Sequence, residues 1–408
     1  MLAFVALAVS IAFWPWWPEP GETARWIAAA FGVTLLLAIA PPRRLRIARW
    51  VLVWVAICFL SASWSPSPWA TAGAAMQALV LAGAFLAGTR WQSGALPLTA
   101  FAAGVAVSCL LAVPQAMGWQ GLPQAEAPAG LFANRNFLAE AATAALVAAV
   151  LLRHWMLAGL LACGLVLAGS KAPAAALLLA LAWLLWPHRR GLALLSLALL
   201  AAAAAALVLW LPGSLDARLA LWGPALENLS AWGHGLGATW AAWPAWGSAT
   251  VPGIYAAGIA PGHLHNEFLA AASDTGLAAL LLVPPLLAAL RGGRHDPVCG
   301  AVLVACGGLA LVGMPFANPA TGFLACLVAG RLCRLDAELG RAVGRRGKRA
   351  HGVGARDDLV GGGAPGAAGA DPGALADPAP GADRGADRKR PGDRRHDAPA
   401  AAAAGAGR

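Results

Sequence analysis

Residues 172–211 read APAAALLLALAWLLWPHRRGLALLSLALLAAAAAALVLWL. Two apolar runs, 172–187 and 191–212, flank a short polar hinge that holds Arg189 and Arg190. Each run approaches the ~20 residues needed to cross the hydrocarbon core of a bilayer. In lipid a backbone must satisfy its own hydrogen bonds, so such runs form helices. The stretch therefore predicts a membrane hairpin with its basic turn in the cytoplasm.

The pattern recurs along the chain. Before this hairpin, spans are expected over approximately 2–17, 26–41, 50–64, 70–89, 95–117, 136–152 and 155–169. After it they are expected over 266–290, 298–316 and 321–333, the last being short unless it tilts or extends to Leu335. Hydrophobic residues make up 59% of the 408 and charged residues only 12%, against roughly 25% charged in soluble domains. Too little charge is present to cover a water-facing surface. The expected fold class is an all-α integral membrane protein with about twelve transmembrane helices. One long loop, 213–265, interrupts the series.

With the N-terminus inside, the inner loops hold Arg43, Arg44, Arg46, Arg49, Arg90, Arg153, Arg189, Arg190, Arg291, Arg294, Arg331 and Arg334. The outer loops hold only Arg25, Arg135, Lys171 and Arg218. The positive-inside rule supports this orientation, with both termini cytoplasmic and the long loop outside. A basic residue on the translocated side opposes the insertion signal, so each of the four needs another reason. For Arg25, beside Glu19 and Glu22, an ordinary surface pairing is expected.

The membrane domain is expected over 1–335. Thirteen of the 29 Lys and Arg lie beyond residue 340, so the net charge of +10 is not spread evenly along the chain. Residues 336–408 are rich in Ala, Gly, Pro, Asp and Arg, too poor in large apolar side chains to offset chain entropy. They are expected to form a disordered cytoplasmic tail that either touches anionic lipid or has no role; no nucleic-acid partner is expected. The seven cysteines, at 58, 109, 163, 299, 306, 326 and 333, fall in or beside apolar stretches without CxxC spacing. They read as small buried hydrophobes. The start lacks a basic region and a clear small-residue cleavage site, so no cleavable signal peptide is expected.

The polar residues on the outer side gather in three islands. In the first, Gly130-Leu131-Phe132-Ala133-Asn134-Arg135-Asn136 leads into a helix that carries Glu140. Asn136 is expected to cap that helix. Glu140 is either a partly buried structural carboxylate or, with Arg135, part of a cavity lining. The second island is Ser170-Lys171, read either as a polar turn with a snorkelling lysine or as a cation on the same face as Arg135. The third is the long loop, with Asp216, Arg218, Trp222, Glu227, Trp232, His234, Trp240, Trp243, Trp246 and Tyr255, closed by His263-Leu264-His265-Asn266-Glu267. Its tryptophans suit an interfacial belt or stacking on sugar rings equally well. His263, His265 and His234 invite a metal reading, but no carboxylate–His pattern of a zinc hydrolase accompanies them, and no metal is expected. A helix starting near Asn266 carries Glu267 and Asp274 on one face, pointing into the bundle with the histidines at its mouth. Histidine suits a general base because its ordinary pKa is about 6.5.

In order and spacing these islands resemble the O-antigen ligase and polymerase superfamily of bacterial inner-membrane proteins, which use polyprenyl-diphosphate-linked glycans. Residues 130–136 resemble the family's Gly-x-Phe-x-Asn-x-Asn segment. Arg218-Leu219-Ala220-Leu221-Trp222, followed by Gly233-His234-Gly235-Leu236-Gly237, resembles its Arg-x3-Trp and Gly-x-Gly stretch. His265-Asn266, nine residues, then Gly276 resembles the His-Asn-x9-Gly core of the ligase signature. The likeness covers roughly 130–290. It departs from the family at Lys171 and Ala175, where many members have Ser-Arg and then Leu. It departs also at Asp274, where Glu is frequent, and Ala279 holds the position that closes the signature. Lysine cannot form the bidentate phosphate contact that arginine forms.

The resemblance implies transfer of a glycan from undecaprenyl diphosphate to an acceptor hydroxyl at the periplasmic face of the inner membrane, with no metal or cofactor. The acceptor would be lipid A-core, a growing polysaccharide or a glycoprotein. Charge develops on the leaving diphosphate, which fixed cations can stabilise. Arg218 is the first expectation for that role, supported by Lys171 and Arg135. His265 is the expected base. His263, Asn266, Glu267, Asp274 and Glu140 are expected to bind substrate or to orient the imidazole. A transporter or lipid flippase is the reading from another class, and a scaffold the weakest, since it leaves the convergent charges unexplained.

Overall fold

The computed structural model describes residues 1–16, 19, 21–43, 45–92, 94–122, 127–132, 134–210, 212–246 and 263–357, with backbone alone at 203–217, 246 and 343–357. The described residues form helices and turns with no strand. The chain divides into two units, Met1–Arg349 and Ala350–Arg408; of the second, only the helix end 350–357 is described.

The first half comprises α1 (Leu2–Ile11), α2 (Glu22–Ile39), α3 (Ala48–Leu60), α4 (Pro68–Gly88), α5 (Leu96–Ala116), α6 (Arg135–Leu151) and α7 (Trp155–Ala168). It continues with α8 (Ala172–Leu185), α9 (Arg190–Trp210), α10 (Pro212–Glu227), α11 (Thr239–Trp246) and α12 (Glu267–Thr275). A 3-10 turn (Gly276–Leu282) joins α12 to α13 (Val283–Gly293), followed by α14 (Pro297–Val312) and α15 (Pro319–Asp357). Every apolar stretch expected to span is helical, although the one expected over 266–290 is divided into α12, the 3-10 turn and α13. Among the described residues four segments are long and apolar enough to cross a membrane: Glu22–Ile39, Pro68–Gly88, Leu96–Ala116 and Glu267–Gly293. α1, α3, α7, α8 and α14 are apolar but shorter, as is the stretch Arg190–Ala202 of α9.

Three boundaries differ from expectation. The first helix stops at Ile11 rather than 17, because Pro15 has no N–H with which to continue the ladder. α14 stops at Val312 rather than 316, ahead of the extended Gly313. α15 does not end near 335 but runs to Asp357. Its continuation is anchored: Asp336 pairs with Arg291 at 3.0 Å and Glu338 with Arg43 at 2.6 Å. Residues 358–408 of the expected tail lie outside the described residues. The cysteines are free thiols; five are buried, but Cys326 is half-buried and Cys163 is exposed on α7, against the expectation that all are buried.

The centre of the bundle is α6, in which every residue from Phe137 to Ala145 is buried. A helix apolar on all sides belongs inside, and its alanines let neighbouring helices come close. α4 and α15 meet through glycines. A Cβ on Gly88 would lie 2.0 Å from the Leu327 carbonyl oxygen, so these two backbones touch. At the same end Arg331 pairs with Asp296 at 2.7 Å and stacks over Trp91 at 4.7 Å. Arg334 donates to the carbonyls of Trp91 and Gln92. Some of the arginines read as an orientation signal are therefore also staples of the fold.

Candidate functional site

The opposite end of the bundle carries the expected site, and α12 organises it. Asn266 adopts extended backbone, and its side chain accepts from the Leu269 N–H at 3.0 Å, an N-cap that fixes where the helix begins. In the first turn, Glu267 Oε1 accepts from the backbone N–H groups of Phe316 and Ala317 at 3.1 and 3.3 Å. At the far end Asp274 Oδ2 accepts from the Gly237 N–H at 2.8 Å, and Oδ1 accepts from the Thr239 hydroxyl. The backbone joins in: His234 N–H donates to Ser273 at 3.0 Å, Gly235 to Asp274 at 2.9 Å, and Leu277 to Ala231 at 2.9 Å. The segment 231–237 is thus knitted onto the end of α12. It also reaches the end of α3, where the Leu236 N–H donates to Ser61 Oγ at 3.3 Å. A helix of ~13 Å bridges two tethered ends.

His265 stands just before this beam with φ 52°, in the left-handed region. For a non-glycine residue that conformation costs about 1–3 kcal/mol and persists only where the surroundings enforce it. One enforcing contact is Trp222, whose Nε1 donates to the Leu264 carbonyl at 2.8 Å. Leu264 is 2% exposed and packs with Leu221, Ala225, Trp243 and Leu269. α10 and α11 thus clasp the histidine turn. Arg218 lies one turn before Trp222 on the same face of α10, which brings its charge to His265. Burial pushes the His265 imidazole below its ordinary value, and the charges of Arg218 and then His263 push it further. Burial also lowers Arg218. Burial and the Arg218 charge thus both favour the neutral imidazole, the form suited to accepting a proton, with a guanidinium near enough to act on it.

The first island is held from three sides. Gln115 on α5 accepts from the Ala129 and Gly130 N–H groups at 2.9 and 2.8 Å. Arg25 on α2 donates to Leu131 at 3.0 Å, Gly21 at 2.8 Å and Ser10 at 3.2 Å, and stacks on Phe132 at 3.9 Å. It is 1% exposed, which corrects the expectation of a surface pairing: its partners are the Gly21 carbonyl at the start of its own helix and two carbonyls and a ring from elsewhere in the chain. The cap of α6 is Asn134, not Asn136; its Oδ1 accepts from the Phe137 N–H at 3.0 Å, and Asn136 lies inside the first turn.

Glu140 and Arg135 do not line one cavity. Glu140 is 3% exposed and Oε1 accepts from the Met314 N–H at 3.0 Å, while Arg135 is exposed at the start of α6. Glu140 and Glu267 therefore both grip the turn between α14 and α15. Lys171, exposed, is the N-cap residue of α8. Gly308 near the end of α14 packs on Ala176 near the start of α8, so Lys171 lies at the same end as Glu140, Glu267 and His265. His263 is exposed beside His265. His234 does not join them: its Nε2 meets the Asn228 carbonyl at 2.9 Å, at the Asp274 end of the beam. Among the described residues no three His, Cys, Asp or Glu gather as metal ligands.

The tryptophans divide by position. Trp243 is buried and Trp222 half-buried in the clasp, while Trp232 and Trp240 are exposed. Trp232 and Trp64 help line an apolar groove of about 500 Å³ with Leu60, Leu277 and Leu281. Tyr255 and the rest of 247–262 lie outside the described residues. Reading by motif missed Arg25, Gln115, Thr239 and the groove. Only Arg25 carried a signal, as a basic residue on the wrong side of the membrane. Compared with protein-family models and with curated proteins, the sequence matches none.

Proposed function

We propose that this chain is a twelve-span inner-membrane glycosyltransferase of the O-antigen ligase type, with both termini cytoplasmic and its site facing the periplasm. It moves a glycan from undecaprenyl diphosphate to an acceptor hydroxyl, with lipid A-core as the first acceptor to test. The observation that carries the reading is the Trp222 hydrogen bond to Leu264, which ties the helix that bears Arg218 to the His265 turn and lets the Arg218 charge act on the imidazole, at the end of the bundle where basic residues are scarce. In the proposed step the acceptor oxygen bonds to the anomeric carbon, and the bond from that carbon to the phosphate oxygen breaks. The acceptor proton passes to His265, and undecaprenyl diphosphate leaves against Arg218. Attack from the opposite face inverts the anomeric centre. Arg135, Lys171 and His263, all exposed at this end, are the groups that would meet diphosphate and sugar from the water side. By the family resemblance the step uses no metal or cofactor.

A polysaccharide polymerase and a protein O-oligosaccharyltransferase share this donor chemistry and differ in acceptor. A transporter or flippase would place charge along the midplane. The described buried charges Arg25, Glu140, Asp274 and Arg334 instead sit near one end of the bundle or the other, which favours transfer. A deletion strain analysed by lipopolysaccharide gel with parallel glycoprotein staining separates these readings. Loss of all chains from the lipid core supports a ligase. Retention of a single repeat indicates a polymerase, and an unchanged ladder with missing glycoprotein indicates the oligosaccharyltransferase. Accumulation of the lipid-linked glycan on the cytoplasmic side would overturn the enzyme reading in favour of transport.

A further inference from the structure

Asp274 has both carboxylate oxygens engaged by the protein, and Glu267 has Oε1 engaged. Asp274 is buried, one carboxylate oxygen on the Gly237 N–H and the other on the Thr239 hydroxyl. Glu267 Oε1 holds two backbone N–H groups of the turn before α15. These are the two ends of α12, and His265, in its left-handed turn, is two residues ahead of Glu267. Substrate contact through Glu267 Oε1 or Asp274 Oδ2 would require these oxygens to abandon the backbone N–H groups they hold.

We propose that Glu267 and Asp274 are positioning residues that clamp α12 at both ends and so hold the His265 turn, acting through that turn rather than through charge on the substrate. The inference rests on the reading of His265 as the base. The mechanism is geometric. A strained turn holds its side chain only while the elements on both sides are fixed. Releasing the α14–α15 turn from Glu267 frees the start of α12, and releasing 237–239 from Asp274 frees its end. A misplacement of ~1 Å at the base lowers turnover up to about 100-fold, without changing groups that bind the donor.

Glutamine keeps an Oε1 acceptor for the two N–H groups but removes the charge. The test therefore compares E267A with E267Q, and D274A with D274N, in full-length protein reconstituted in proteoliposomes. Transfer from undecaprenyl-diphosphate glycan to lipid A-core is followed together with hydrogen exchange at the Phe316, Ala317 and Gly237 amides. Positioning predicts that E267A speeds exchange at 316 and 317 and lowers kcat roughly 10- to 100-fold with the donor KM within about twofold. E267Q keeps both the protection and most of the turnover. If E267A does not accumulate, E267Q alone decides. E267Q that keeps the protection but loses transfer, or that raises the donor KM more than tenfold, overturns the proposal, since charge on the substrate would then be the role. Unchanged exchange in E267A overturns it as well. Retained transfer in H265A would instead remove the base reading, and amide exchange would still report the clamp by itself.

Discussion

The junction between α12 and the segment 231–237 can be tested with one methyl group. Gly276 has φ 57° and ψ −135°, and a Cβ there would lie 2.2 Å from the Ala231 carbonyl oxygen and 2.6 Å from the Gly233 nitrogen. Both are backbone atoms held by hydrogen bonds, so neither can swing aside. G276A therefore combines backbone strain of about 1–3 kcal/mol with overpacking of a further ~1–3 kcal/mol. Gly94 is the control: its φ is 90°, yet nothing lies within 4 Å of its would-be Cβ. G94A carries strain alone, about 1–2 kcal/mol. Both variants and the parent protein would be heated in the same detergent, and the folded fraction read by fluorescence-detected size exclusion. G276A is expected to lose its folded peak first, well below G94A, and to lose transfer at temperatures where its folded peak survives. G94A is expected to transfer at the parent rate. Equal thermal profiles for the two variants would refute the claim that 231–237 is packed backbone to backbone against the end of α12.

Further predictions follow from the polar anchors. His265 is held below about 6.5, so its neutral, proton-accepting form persists as pH falls, and the acid limb of kcat/KM lies below 6.5. Because the charge of His263 contributes to that lowering, H263Q moves the limb upward, and a downward or absent shift in the pH–rate profile would count against the pairing. R25Q removes a guanidinium that holds three carbonyls and strips Phe132 of its cation; it should lower stability by about 2–4 kcal/mol, read as loss of the folded peak on heating. Asp296 caps α14 through the Cys299 N–H and pairs with Arg331. D296A should cost roughly 2–4 kcal/mol on the same heating assay, since it uncaps a helix and leaves a mostly buried arginine unpaired.

Much of the helical plan was legible because a span is a long apolar run, and such runs are hard to hide in sequence. The start of α12 was legible too, since a helix was expected to begin near Asn266, although the capping role of Asn266 was not. The cap of α6 was missed by two residues: Asn134 and Asn136 are both good capping types, and the choice depends on which one takes extended backbone. That choice is made by Gln115 and Arg25 pinning 129–131, contacts across sequence separations that no local pattern records. Arg25 was misread for the same reason, because its nearby glutamates are visible in sequence and its carbonyl partners are not. Glu267 and Asp274 were correctly placed on one face pointing into the protein, but their partners, the turn before α15 and the glycine-rich loop, exist only after folding. The helical extension to Asp357 escaped notice because composition suggested a tail, while Asp336 and Glu338 pair with arginines far back in the chain.

The central claim is that Arg218 and His265 together carry the transfer step. The direct measurement is glycan transfer to lipid A-core by H265A and by R218A, each quantified against its own membrane-inserted abundance. The account predicts that both variants insert at normal abundance and that neither transfers. Transfer near the parent rate in both would contradict it.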